Sequence, residues 1–74
     1  MNTFYFDTLM EVDRQYGSEV HRLLDVYCTS HVAVAPYSVE VDATWRKARD
    51  NKLTQSLSII EKYGADKWLA LEGL

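Results

Sequence analysis

"VAVAPYSVEVDATWRKARDNK", residues 32 to 52, decides what kind of fold this chain makes. Its first ten residues alternate: Val32, Val34, Val39 and Val41 are separated by alanines or polar side chains, with Pro36 in the middle. Period-2 alternation on both sides of Pro36 and Tyr37 spells a short β-hairpin over 32–41. A helical reading competes from Ser38 onward. Serine is a favoured helix N-cap, and Val41, Trp45 and Ala48 then recur at i, i+4 and i+7 on one stripe. An isolated two-stranded hairpin is marginal in water. The balance favours an extended linker through Pro36, then a helix from about Ser38 or Asp42 to Asp50. Asp50 and Asn51 are weak helix formers, and the apolar stripe shifts by about a quarter turn there, so a break or kink is expected.

Upstream, two helices are predicted. Thr3 can cap the first, in which Tyr5, Leu9, Val12 and Tyr16 form one stripe and Asp7, Glu11 and Arg14 lie opposite. Phe6 and Met10 widen the apolar face beyond what one neighbouring helix covers. Gly17 is a natural stop, because glycine accepts a left-handed backbone at little cost. Ser18 caps a second helix running to His31, with Val20, Leu23, Leu24 and Tyr27 on one side and Cys28 at its margin. So short a connection makes the pair an antiparallel hairpin. Downstream, Leu53, Leu57 and Ile60 mark another helix, capped by Thr54 and stopped by Gly64. Asp66 caps a last short helix in which Trp68 and Leu71 share a face. Together these segments read as one domain over residues 1–74, an all-α bundle of four to five short helices.

Size then bounds the energetics. A chain of 74 residues buries only about 60% of its unfolded surface, so its core is thin. Small domains add a disulfide, a metal or a partner to compensate. Cys28 is the single cysteine, which excludes an internal disulfide, and no array of Cys and His suggests structural zinc. A partner is the remaining staple. Two Trp, five Tyr and two Phe are many large rings for so small a core, so some are expected at an interface. The start "MNTFYFDTLM" has no basic residue and meets an acid at Asp7, so it does not read as a signal peptide. No apolar run approaches the roughly 20 residues that span a bilayer. A lone thiol without an export signal points to the reducing cytoplasm.

Charge is divided unevenly. Residues 1–42 carry seven acids and two bases, and residues 43–74 carry four acids and six bases, for −5 and +2 in a chain of net −3. Four bases, Arg46, Lys47, Arg49 and Lys52, fall within seven positions beside Trp45. Such a cluster can meet phosphate while the indole stacks on a base. The segment from Leu53 to Trp68 also has the outline of a helix-turn-helix, but its recognition position, "DKWLALEGL", holds few base-reading side chains. An acidic chain, with a sequence pI near 5.2, gains little nonspecific affinity for phosphate. Arg46 and Arg49 are helical neighbours, whereas Lys47 points elsewhere, so the cluster does not form one basic face.

Catalytic constellations are weak. His21, Asp25 and Cys28 stand at i, i+4 and i+7, all legitimate zinc ligands, but structural zinc takes four ligands and paired motifs are missing. Cys28 with His31 one turn on would be a nucleophile and base, but a bundle this small offers little wall for a substrate pocket. Gly17, Gly64 and Gly73 are isolated and make no phosphate loop. Neither a metal nor a cofactor is expected, and the chain does not read as an enzyme.

Protein interaction remains. Aromatic side chains, Met and Arg are enriched at interface cores and hot spots. Phe4, Phe6 and Met10 on the first helix, with Trp45, Arg46 and Arg49 on the third, are the candidate contact residues. The expected function is a non-enzymatic module, a small regulator, inhibitor or adaptor binding a larger protein, with self-association as a homodimer in the same class. The competing expectation is a nucleic-acid-associated regulator acting through residues 45–52. Acidic stand-alone chains of this length also suit a phage accessory protein, by association only.

Overall fold

In a computed structural model the chain is described over residues 3–30 and 38–72. Four helices and no strand make up these residues: α1 (Phe4–Tyr16), α2 (Ser18–Thr29), α3 (Val39–Tyr63) and α4 (Ala65–Glu72). The fold is an all-α bundle, as the periodicities predict.

The α1 stripe behaves as its spacing requires, with Tyr5, Leu9 and Val12 buried and Tyr16 half-buried. Thr3 does not cap through its side chain to the backbone. Its hydroxyl donates to Asp7 Oδ2 at 2.8 Å, while the Asp7 N–H donates to the Thr3 carbonyl at 2.9 Å. Gly17, at φ 101°, turns the chain within a single residue and donates to the Asp13 carbonyl at 3.0 Å. That positive φ is the reason for glycine at this point. The hairpin is antiparallel: Tyr5, near the start of α1, donates from its hydroxyl to Asp25 Oδ1 at 2.5 Å, near the end of α2. At the closed end His21 Nδ1 lies 3.7 Å from Asp13 Oδ1.

In α2 the buried residues are Val20, Leu24 and Cys28. Cys28 is thus central to the core rather than marginal, and α2 ends at Thr29, two residues short of the predicted end. His31 lies outside the described residues.

The stretch that decided the fold class resolves toward helix. Ser38 is extended and its hydroxyl accepts from the Val41 N–H at 3.1 Å, a true N-cap. Val39 to Val41 are helical, which removes the second strand of the alternative hairpin; residues 32–37 lie outside the described residues. The expected break at Asp50 and Asn51 is absent, and α3 runs unbroken for 25 residues. Two observations explain the correction. Asp50 holds its neighbour Arg49 through a 3.1 Å bond from Nε, so its carboxylate is occupied by a side chain rather than competing for the backbone. Thr54, read as a cap, instead donates to the Asp50 carbonyl one turn back at 3.0 Å. The apolar stripe does shift by about a quarter turn, but an unbroken helix accommodates it by facing different surroundings in its two halves.

Gly64, at φ 95°, ends α3 and its N–H donates to the Ile60 carbonyl at 2.8 Å. In α4 only one of the two paired side chains is used: Trp68 is fully buried, whereas Leu71 is largely exposed. The helices pack in sequence order, α1 on α2, α2 on α3 and α3 on α4. Their shared core is Tyr5, Leu9, Val12, Val20, Leu24, Cys28, Leu53, Ile60 and Trp68. The Tyr27 ring meets Trp68 edge to face at 5.9 Å. No helix of the described residues is long and apolar enough to cross a membrane.

Candidate interaction cleft

All buried residues of α3 lie at Leu53, Ser56 and Ile60. None of residues 39–52 before them is fully buried, and Arg49 is among the side chains that tie this half to α1. Its guanidinium carbon stands 4.0 Å above the Tyr5 ring, with the Phe6 and Trp45 rings each 5.8 Å away. Asp50 takes its Nε at 3.1 Å, and only 13% of the side chain remains exposed. A cation over an aromatic face contributes roughly 0.5–2 kcal/mol, more as water is excluded. Tyr5 is therefore fastened on both sides, by Asp25 of α2 at its hydroxyl and by Arg49 of α3 over its ring. Burial, followed by the hydrogen bond to Asp25, pushes the Tyr5 phenol well above its ordinary range. It stays a neutral donor at any physiological pH.

Arg49 and its partner Asp50 also line an open cleft of about 610 Å³ between the start of α1 and the first half of α3. Thr3 and Phe6 line it from α1's side, and Asp42, Trp45, Arg46, Arg49 and Asp50 line it from α3. Phe6 leaves 62% of its surface exposed. Arg46 Nε lies 3.0 Å from Asp42 Oδ2, an i, i+4 ion pair along the outer face of α3. The lining therefore offers aromatic faces, two guanidinium groups and two carboxylates, a set suited to recognition.

Four of the six residues singled out from the sequence meet here: Phe6, Trp45, Arg46 and Arg49. Phe4 and Met10 do not line the cleft. Two residues along an α-helix turn the direction by about 200°, so Phe4 falls on the far side of α1 from Phe6. Met10 follows Phe6 by one turn and is exposed, and it is not part of the cleft lining. Sequence reasoning missed Thr3, Asp42 and Asp50 as lining residues. The Asp42–Arg46 spacing was a readable signal, as acid four residues before base on a helix. Tyr5 as the seat of Arg49 had none, because the pairing joins positions far apart in the chain.

The remaining bases are dispersed. The Lys52 ammonium sits 5.1 Å above the Tyr27 ring, and Lys47 is exposed on another side of α3. The candidate zinc ligands are likewise separated in role: His21 faces Asp13, Asp25 accepts from Tyr5, and Cys28 is buried. Burial pushes the Cys28 thiol up to about 11. Among the described residues no three His, Cys, Asp or Glu side chains gather as metal ligands. Compared with protein-family models, with curated proteins and with solved structures, the chain finds no match in any of the three.

Proposed function

We propose that this chain is a small protein-interaction module, a regulator, inhibitor or adaptor that docks on a larger protein through the cleft between α1 and the first half of α3. One observation carries the reading: Phe6 and Trp45, 39 positions apart in the sequence, wall the same open cleft with Arg46 and Arg49. Aromatic and arginine side chains converging in a concavity are the composition of an interface hot spot. Nucleic acid is the less supported partner. Of the four clustered bases, Arg46 is paired with Asp42, Arg49 is closed in by rings and Asp50, and Lys52 lies over Tyr27. Phosphate would have to compete with each of these.

The test is affinity capture from an extract of the native cells, treated with nuclease, using three tagged forms. These are wild type, the double variant Phe6→Ser/Arg46→Glu, and Lys67→Glu on the exposed side of α4 as control. The expected result is a stoichiometric protein held by wild type and control and lost by the double variant. Recovery that nuclease abolishes, or that the double variant retains in full, overturns the proposal.

A further inference from the structure

The charges lining the cleft are balanced in number but not in exposure. Asp50 and Asp42 expose only 24% and 27% of their side chains, and Arg49 exposes 13%. Arg46 exposes 64%. Arg46 is thus the most exposed charge of the lining, and Asp42 is set back behind it. Arg46 contacts Asp42 through Nε, so that ion pair does not engage its two terminal amino groups. Those outer N–H groups form the fork that fits a carboxylate with two parallel bonds. Its present partner is a weak competitor, since exposed i, i+4 pairs contribute little. A cationic ligand faces the reverse situation. The most exposed carboxylate of the lining, Asp42, already holds Arg46, and a cation would have to compete with it there.

From this asymmetry we infer that the cleft takes a partner segment with an apolar anchor side chain next to an acidic one. The anchor lies against Phe6 and Trp45, and the carboxylate sits on Arg46. The inference rests on the cleft being the docking surface and adds the chemistry of what docks there. Apolar burial supplies most of the affinity, and the carboxylate supplies the preference.

The probes are two blocked tripeptides, N-acetyl-Leu-Glu-Leu-amide and N-acetyl-Leu-Lys-Leu-amide, titrated into the isotope-labelled full chain by NMR. The glutamate peptide is expected to shift the Trp45 indole N–H and Arg46 Nε–H resonances. It should bind about three- to fivefold tighter than the lysine peptide, the ratio one exposed ion pair supplies. In Arg46→Glu, a surface change on a helix, the preference should invert. A lysine peptide that binds wild type as well as the glutamate peptide, or an unchanged order in Arg46→Glu, overturns the acidic partner and leaves the cleft as a docking surface. If neither peptide shifts Trp45 at millimolar concentration, the acidic partner is overturned and the cleft reading loses its support as well.

Discussion

The two halves of α3 are built on different physics. From Leu53 to Tyr63 the helix is a core element, with Leu53, Ser56 and Ile60 buried among α1, α2 and α4 side chains. From Val39 to Lys52 no residue is fully buried, and the contacts include the Ser38 cap, Arg49 over the Tyr5 ring and Lys52 over the Tyr27 ring. Apolar burial is spread over many contacts and tolerates small displacement. A cation seated on a ring beside a carboxylate is local, directional and shared by few groups. The first half is therefore expected to loosen on loss of a single side chain, and the second half only with the whole fold. The proposed docking surface would then lie on the less stable half of α3, where binding elements are commonly found.

Three substitutions or conditions separate these regimes. The largest effect is expected at the core end: Leu53→Ala leaves a cavity among buried neighbours and should cost about 2–5 kcal/mol, read as a lowered urea midpoint. Because the core is shared, that loss should appear equally in every probe of unfolding. Next comes Arg49→Met, which keeps the length of the side chain but removes the charge. A cost of about 1–2 kcal/mol is expected from the lost cation–ring contact and ion pair. Its signature is distribution rather than size. Native-state hydrogen exchange should quicken selectively in the amides of 42–50, with those of 53–60 changing only by the global loss. Uniform loss of protection along α3 would show that the helix is a single cooperative unit.

The third effect lies in the thiol, and at neutral pH it is the smallest because it vanishes there. Cys28 has its acidity moved by burial from an ordinary value of 9.0 to about 11. The folded state thus keeps a proton that the unfolded chain releases. Stability from this group is intact below pH 9 and is lost as pH rises toward 11. Wild type should weaken over that window more steeply than Cys28→Ala, measured by urea midpoints at several pH values. Parallel slopes would mean that the thiol titrates alike in both states. Native Cys28 should also react slowly with thiol reagents near neutral pH, since the thiolate is the reactive form.

Much of the fold was legible because it follows short-range rules. Tyr5, Leu9 and Val12 declare one face of α1, Leu53 and Ile60 declare one face of α3, and Gly17 and Gly64 stand where a positive φ ends a helix. The kink at Asp50 was misread because propensity scores each residue alone. Asp50 is tolerated in mid-helix with its carboxylate bound to the side chain of Arg49. Four of the residues lining the cleft were singled out by type, since Trp, Phe and Arg recur at interfaces, but not as a group. That Phe6 joins Trp45 while Phe4 does not is a matter of helix phase and of how α1 lies against α3. Only the packed molecule fixes the second of these.

The two tryptophans divide between the same regimes. Trp68 is buried in the core with no hydrogen-bond partner for its indole nitrogen, and Trp45 stands half-exposed at the wall of the cleft. An indole in an apolar, water-free site emits at shorter wavelength than one beside water. The chain therefore carries two optical reporters with different addresses. Quencher dissolved in the buffer reaches one of them and is kept from the other by the fold. The blue part of the emission follows the integrity of the core, and the red part follows what happens in the cleft, without a label and in a single cuvette.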